Sequence, residues 1–243
     1  MEKKKTVYQL DTPYSAVSWP SVTLEDQDTI LELLCALLAP LGQYRSEYIQ
    51  PSKGKRDKKR KRKAATTNSK DLPVLPAPEI KSHIDVGLSA VTRCLQETSS
   101  RAQDAESKLE GQPPSEEPPG SHYSAIFVAR SGQPNVLNGH LPRMVAAASK
   151  SHPVRTPIRL VGLSKSCEDR LSESLSIPRV SCIGLREDAP NSKALIQFTR
   201  QHVPIIEAQW LEEARRAEHR DTNINAIETS VGDKKQVQRR TQS

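Results

Sequence analysis

The densest chemistry in the chain is a block of positive charge. Lys53, Lys55, Arg56, Lys58, Lys59, Arg60, Lys61, Arg62 and Lys63 crowd around a single acid, Asp57. Guanidinium and ammonium groups at this density can neutralise phosphate and release its counterions, a mode of binding that weakens steeply with salt. Lys58, Lys59, Arg60, Lys61, Arg62 and Lys63 also read as a nuclear localisation signal, and the two readings are compatible. Neither selects a base sequence, because backbone contacts position a protein without specifying. The run carries a net charge of +8 within a chain of formal charge +7, so the remainder sums to −1. Any basic face on the folded part must therefore come from the arrangement of side chains, not from their abundance. Lys234, Lys235, Arg239 and Arg240 read as a charged tail that can add to the run.

The other reactive side chains do not assemble. The six histidines are scattered, and His140, beside Leu141 in an apolar helical pattern, reads as a structural histidine. Paired acids such as Glu116 and Glu117 fall in Pro-rich linkers, where nothing holds them in place for acid–base work. Cys35, Cys94, Cys167 and Cys182 lie far apart in apolar or helical segments, which suits buried free thiols and supplies no zinc-type spacing. No P-loop is present, and no Gly-x-Gly-x-x-Gly follows a strand. The expectation is a protein with no catalytic residues, metal, cofactor or small-molecule substrate. No apolar run approaches the roughly 20 residues that span a bilayer, and the charged start leads into no signal-peptide core, so no membrane partner is expected.

Only 35% of the chain is hydrophobic and 4% aromatic, and 18 prolines cluster between the periodic segments. That composition predicts one modest folded domain with disordered insertions. Its centre is Ala125–Ala129, a continuous apolar run with β-branched and aromatic members, as in a strand buried on both faces. Arg130–Gln133 forms a polar turn, and helical spacing then links Val136, Leu137, Leu141, Met144, Val145 and Ala148. Upstream, Thr23 caps a very apolar helix that Pro40 and Gly42 end. A second helix over Glu79–Gln96 draws its stripe from Ile80, Ile84, Leu88, Val91 and Leu95, with Gly87 inside it implying that something approaches its backbone. Ile158–Leu163 and Val180–Leu185 are further strands, separated and followed by helices, and Trp210 and Leu211 dock a last helix. The pattern is α/β: a three-layer α-β-α sandwich with a mixed central sheet, interrupted by two disordered insertions. Residues 1–22 are an extended arm and 23–218 a single domain. Flexible insertions fall at about 50–78 and 98–122, and 219–243 is a disordered tail.

Gly87–Leu88–Ser89–Ala90–Val91–Thr92–Arg93, Phe127–Val128–Ala129, His140–Leu141–Pro142 and Ser164–Lys165 together resemble an RNA-binding family. This family includes the archaeal kink-turn ribosomal protein and the eukaryotic box C/D core protein. Within it, the Trp19–Pro20 arm, the helix DQDTILELLCALLAPLG, FVARSGQPNVLNGHLP and VPIIEAQWLEE look like the fungal third Pop (processing of precursor RNA) subunits of ribonuclease P and ribonuclease MRP. The resemblance implies an RNA face made from Gly87, Leu88, Ser89, Thr92 and Arg93 together with Ile177, Pro178, Arg179 and Val180. The family's Asn and Glu, which meet sheared G·A pairs, are Ser89 and Ala90 here. Recognition of RNA shape and backbone is therefore expected over recognition of a standard kink-turn. Arg93 in place of Lys keeps the charge and adds fork geometry suited to phosphate.

The implied partners are ribonuclease P RNA, ribonuclease MRP RNA and other protein subunits of the same particle. The implied role is non-catalytic, in processing precursor tRNA and precursor ribosomal RNA, in the nucleus and nucleolus. Two alternatives stay open: a protein–protein scaffold subunit docked through Trp19 and Trp210, and another kink-turn-type RNA-binding protein. An independent nuclease is disfavoured by the missing acid–base clusters.

Overall fold

A strand buried along its whole length, β3 (Tyr123–Ala129), stands at the centre of the structure. The computed structural model describes residues 4–48, 76–107, 122–130, 135–152, 154–216 and 218–230. Contacts divide the chain into two compact units, Val17–Ala208 and a second made of 1–16 with 209–243.

In the larger unit β3 pairs in parallel with β4 (Arg159–Leu163) and antiparallel with β5 (Cys182–Arg186). The edge beyond β5 is β2 (Ile84–Val86), so the mixed sheet runs β2-β5-β3-β4. Alternate side chains serve two separate cores, as strand geometry requires. Phe127, Val161 and Ile183 face one cluster, and Ile126, Leu160 and Cys182 the other. A register shift between Tyr123 and Ala125 breaks this alternation, so Tyr123 joins the second cluster although Ala125 belongs to the first. The first cluster is covered by α1 (Leu24–Tyr48), α5 (Lys165–Leu175) and α6 (Lys193–His202). The second lies under α2 (Leu88–Ser107) and α4 (Leu141–Ser151). The expected three-layer sandwich with a mixed sheet is what forms.

Several local expectations change. Thr23 does cap α1, its Oγ1 accepting the Asp26 N–H at 3.1 Å. The helix nevertheless runs through Pro40 and Gly42 to Tyr48. Burial of Leu34, Leu38 and Leu41 outweighs the proline's cost of about 3 kcal/mol. Gly42 is a packing glycine, since a Cβ there would run into the backbone of Ser174 on α5. The stripe from Ile80 to Leu95 is not one helix. Ile80 lies in a 3-10 helix (Glu79–His83) and Ile84 in β2, both in the first core. Val91 and Leu95 lie on α2 in the second core. The chain crosses the sheet edge inside the apparent stripe. α2 itself continues to Ser107, into the region expected as a linker. Val136 and Leu137 form a one-turn helix α3 (Asn135–Asn138) and are exposed, so the apolar helix starts only at Leu141. The insertion at 50–75 and residues 108–121 lie outside the described residues.

In the smaller unit β1 (Lys4–Asp11) pairs antiparallel with β6 (Asn223–Ser230). The expected disordered tail is therefore a strand over 223–230, supplied with a partner by the arm. Between them, α7 (Gln209–Arg215) has no buried residue, and its Glu213 carboxylate accepts both the N–H and the hydroxyl of Ser15. Trp210 and Leu211 are half-buried, and within this unit the helix is tied to the arm through Glu213 and Ser15. Among the described residues no helix is long and apolar enough to cross a membrane.

Candidate nucleic-acid interface

The two stretches expected to carry RNA contacts are 84 residues apart at their nearest, yet the sheet brings them together. The N–H of Gly87, just past β2, donates to the Cys182 carbonyl at 2.8 Å. Cys182 opens β5 and directly follows the loop 177–181. The Ala129 N–H donates to the Ser181 carbonyl and the Arg130 N–H to the Leu163 carbonyl, each at 3.0 Å. One end of the sheet thus presents, in order, Gly87, Ser181, Arg130 and Ser164.

Gly87 is required by its backbone, with φ of +104°, and a Cβ there would meet nothing within 4 Å. It is the turn from β2 into α2: what approaches its backbone is the Cys182 carbonyl on its N–H, while the side where a Cβ would stand is open. Having no side chain, it supplies no side-chain cap to the first-turn amides of α2. α5 also starts at this end, after Ser164, and has no side-chain cap hydrogen bond. Two helix N-termini therefore point their partial positive charge at the same end of the sheet.

The predicted residues divide on exposure. Ser89 and Arg93 are exposed and Leu88 and Thr92 half-buried, Leu88 packing on the second core. Arg93 faces Glu97 one turn on at 4.0 Å, an exposed pair of little energetic weight. In the second stretch Pro178 and Arg179 are exposed, while Ile177 packs against the first core. Val180 is 1% exposed and cannot touch RNA, which overturns its assignment. The reason lies in how α5 ends. Ser176 adopts φ of +53° and the Ile177 N–H reaches back to the Ser172 carbonyl at 3.0 Å. That left-handed cap turns the chain inward, so Val180 enters the core ahead of β5. Arg179 Nε donates to Glu168 Oε1 at 2.8 Å, so its guanidinium is oriented but half-neutralised. Lys53, Lys55, Arg56, Lys58, Lys59, Arg60, Lys61, Arg62 and Lys63 lie outside the described residues.

Arg130 escaped the sequence reading as part of a polar turn. It is exposed and its guanidinium sits 5.0 Å from the centre of the Trp19 ring. The only signal for it was its place directly after the fully buried strand. His140, expected as a packed structural histidine, is exposed at the start of α4 while Leu141 and Pro142 are buried. None of the four cysteines is in a disulfide; Cys167 and Cys182 are buried and the other two half-buried. Burial pushes the Cys182 thiol up to about 12, so it stays protonated at neutral pH.

The opposite end of the sheet has a different character. Arg186 pairs with Asp85 at 3.0 Å, Arg200 with Glu187 at 3.0 Å, and the Tyr123 hydroxyl donates to Asp85 at 2.7 Å. Burial first, and that hydrogen bond second, raise the Tyr123 pKa and hold the hydroxyl protonated. A cavity of about 720 Å³ at the start of α6 is lined by Glu187 and Asp188 as well as Lys193 and Arg200, and so favours no polyanion.

A family model for RNase P subunit Pop3 matches residues 67–213. The chain belongs to that family. Membership makes it a protein subunit of ribonuclease P/MRP. The matched segment covers the whole four-stranded sheet, with Gly87, Ser181, Arg130 and Ser164 at its end, whereas Trp19, α1 and the β1–β6 ribbon lie outside it. A search of curated proteins found no match.

Proposed function

We propose that the chain is a non-catalytic RNA-binding subunit of ribonuclease P/MRP that supports processing of precursor tRNA and precursor ribosomal RNA, in the nucleus and nucleolus. The observation that carries this reading is the convergence of Gly87–Arg93 and the 177–181 loop at one end of the sheet. Two helix N-termini and exposed arginines meet there. Such a face suits phosphate and RNA shape. With Ser89 and Ala90 where the kink-turn family has Asn and Glu, it lacks the side chains for sheared G·A pairs. The basic run adds a salt-sensitive, sequence-independent term and the nuclear address.

Affinity purification of the chain followed by sequencing of the co-purified RNA tests this. Ribonuclease P RNA and ribonuclease MRP RNA are both expected, and recovery of neither removes the proposal. Replacing Arg93 and Arg179 together by Ala lowers RNA affinity and leaves the unfolding midpoint in place.

A protein–protein role gains support from the ribbon. Tyr8 and Leu10 on β1 are 73% and 72% exposed and share one face with Ile224 of β6, at 57%. An isolated two-stranded ribbon is marginal in water, so this face suits a neighbouring protein subunit. If the Arg93/Arg179 variant binds RNA unchanged while deletion of residues 4–11 releases the chain from the particle, the scaffold reading replaces the first.

A further inference from the structure

Among the arginines at the functional end of the sheet, Arg130 differs in its surroundings. Arg179 is held by Glu168 and Arg93 faces Glu97, but Arg130 has no ion pair among the described residues. Its position is nonetheless well determined. Its own N–H is bonded to the Leu163 carbonyl at 3.0 Å, which fixes the Cα between β5 and β4. Its guanidinium lies over Trp19 at 5.0 Å. Trp19 in turn lies against Gly162 of β4, where an added Cβ would sit 3.5 Å from the indole ring and 3.8 Å from Arg130 Cδ. The glycine leaves room for ring and arginine stem to pack side by side. A guanidinium supported on one face by an aromatic ring keeps its N–H edge free and loses little further freedom when it binds.

This cation stands in the middle of the sheet end, flanked by the N-terminus of α2 beyond β5 and by that of α5 after β4. Strand spacing of about 4.8 Å puts Gly87 and Ser164 within about 10 Å of it on either side. Fixed partial charges and one full charge with no ion pair among the described residues therefore act on the same volume.

We propose that Arg130, held over Trp19, is the central phosphate-contacting residue of the RNA face, with Trp19 as its positioning residue. The inference rests on the RNA-binding reading above and names a contact that reading does not contain. It implies that the Trp19 segment, which precedes the matched family region, serves the RNA site and not only a protein neighbour.

Titration of transcribed ribonuclease P RNA with the full chain, across a salt series, tests it. Arg130→Ala is expected to weaken binding about three- to tenfold at low salt. It should also reduce the slope of log K against log salt by about 0.9, as for one lost phosphate contact. Arg130→Lys restores the slope but not the full affinity. Trp19→Leu weakens binding with the slope kept, since the charge remains without its support. Arg215→Ala, on α7, leaves both unchanged. If the wild-type chain binds with a salt-dependent affinity and Arg130→Ala matches it in affinity and slope, the Arg130 assignment is overturned. If the wild-type chain itself shows no salt-dependent binding, the RNA reading on which it rests fails instead. Arg130 is exposed, so unfolding midpoints are expected to coincide; a lowered midpoint with an unchanged slope marks a purely structural role.

Discussion

Val180 and Arg130 show what a single position can and cannot reveal. Both sit next to strands, one apolar in a loop expected to touch RNA, the other polar in a loop expected to do nothing. The cap at Ser176 turns Val180 into the core, so Val180→Ala is expected to cost about 1–2 kcal/mol in urea unfolding. The RNA affinity of its folded fraction should not change; a selective loss of affinity would restore Val180 to the interface. Gly184 is held to glycine by the Tyr123 ring, which a Cβ would approach to 2.6 Å. Gly184→Ala should therefore overpack the sheet and cost about 1–3 kcal/mol, and an unchanged midpoint would mean that the ring can move away. His122 is 2% exposed, with Nε2 at 3.1 Å from the Thr156 carbonyl. Burial, and then Arg155 and His152, lower its pKa against the hydrogen bond to Thr156 and the charge of Glu187. The folded state thus favours neutral His122, and this contribution is complete above about pH 6.5, where the unfolded histidine is also neutral. It is lost as the pH falls below that value, because the unfolded chain takes up the proton first. His122→Asn should flatten the pH dependence of stability between pH 5 and 7, by the same urea measurement.

At the scale of elements, close approach of two helices decides what composition could not. Pro40 and Gly42 are ordinary helix stops by local propensity, but α1 continues because its far end is packed on α5. Gly42→Ala should separate the two helices and destabilise the sandwich by roughly 1–3 kcal/mol or more, read as a lowered thermal midpoint. A midpoint within a degree of the wild type would show that the helices slide apart freely. The ribbon is a different kind of element, with one strand from each end of the chain and exposed apolar side chains. Deleting residues 4–11 should abolish amide protection over 223–230 in hydrogen exchange and leave β3 as protected as before. Loss of protection in β3 would mean that the ribbon supports the sandwich.

For the whole molecule, the proposed RNA binding divides its work between charge and fold. The sandwich offers a few oriented cations, and Lys53–Lys63 carries more than the whole net charge, the remainder summing to −1. Deleting that run should weaken RNA binding steeply at low salt, flatten the salt dependence, and abolish nuclear accumulation. Unchanged behaviour in both assays would remove the charge argument.

The sequence by itself was enough for the layered α/β architecture, the central strand, the basic run and the family. The first three are written in composition or in side-chain periodicity along a contiguous stretch, and the family in short motifs read by resemblance. It also pointed to a pair of segments, Gly87–Arg93 and the loop from Ile177, through their resemblance to a known RNA-binding family, and the sheet brings these two together. Only the tertiary structure decided which residues of that pair are exposed and that Arg130 stands between them over Trp19. It also decided that Ile80–Leu95 crosses from one core to the other, and that the two ends of the chain pair as strands. These depend on contacts between residues far apart in sequence, where hydrogen bonding across the sheet and packing of helix on helix override the local propensities that a linear reading measures.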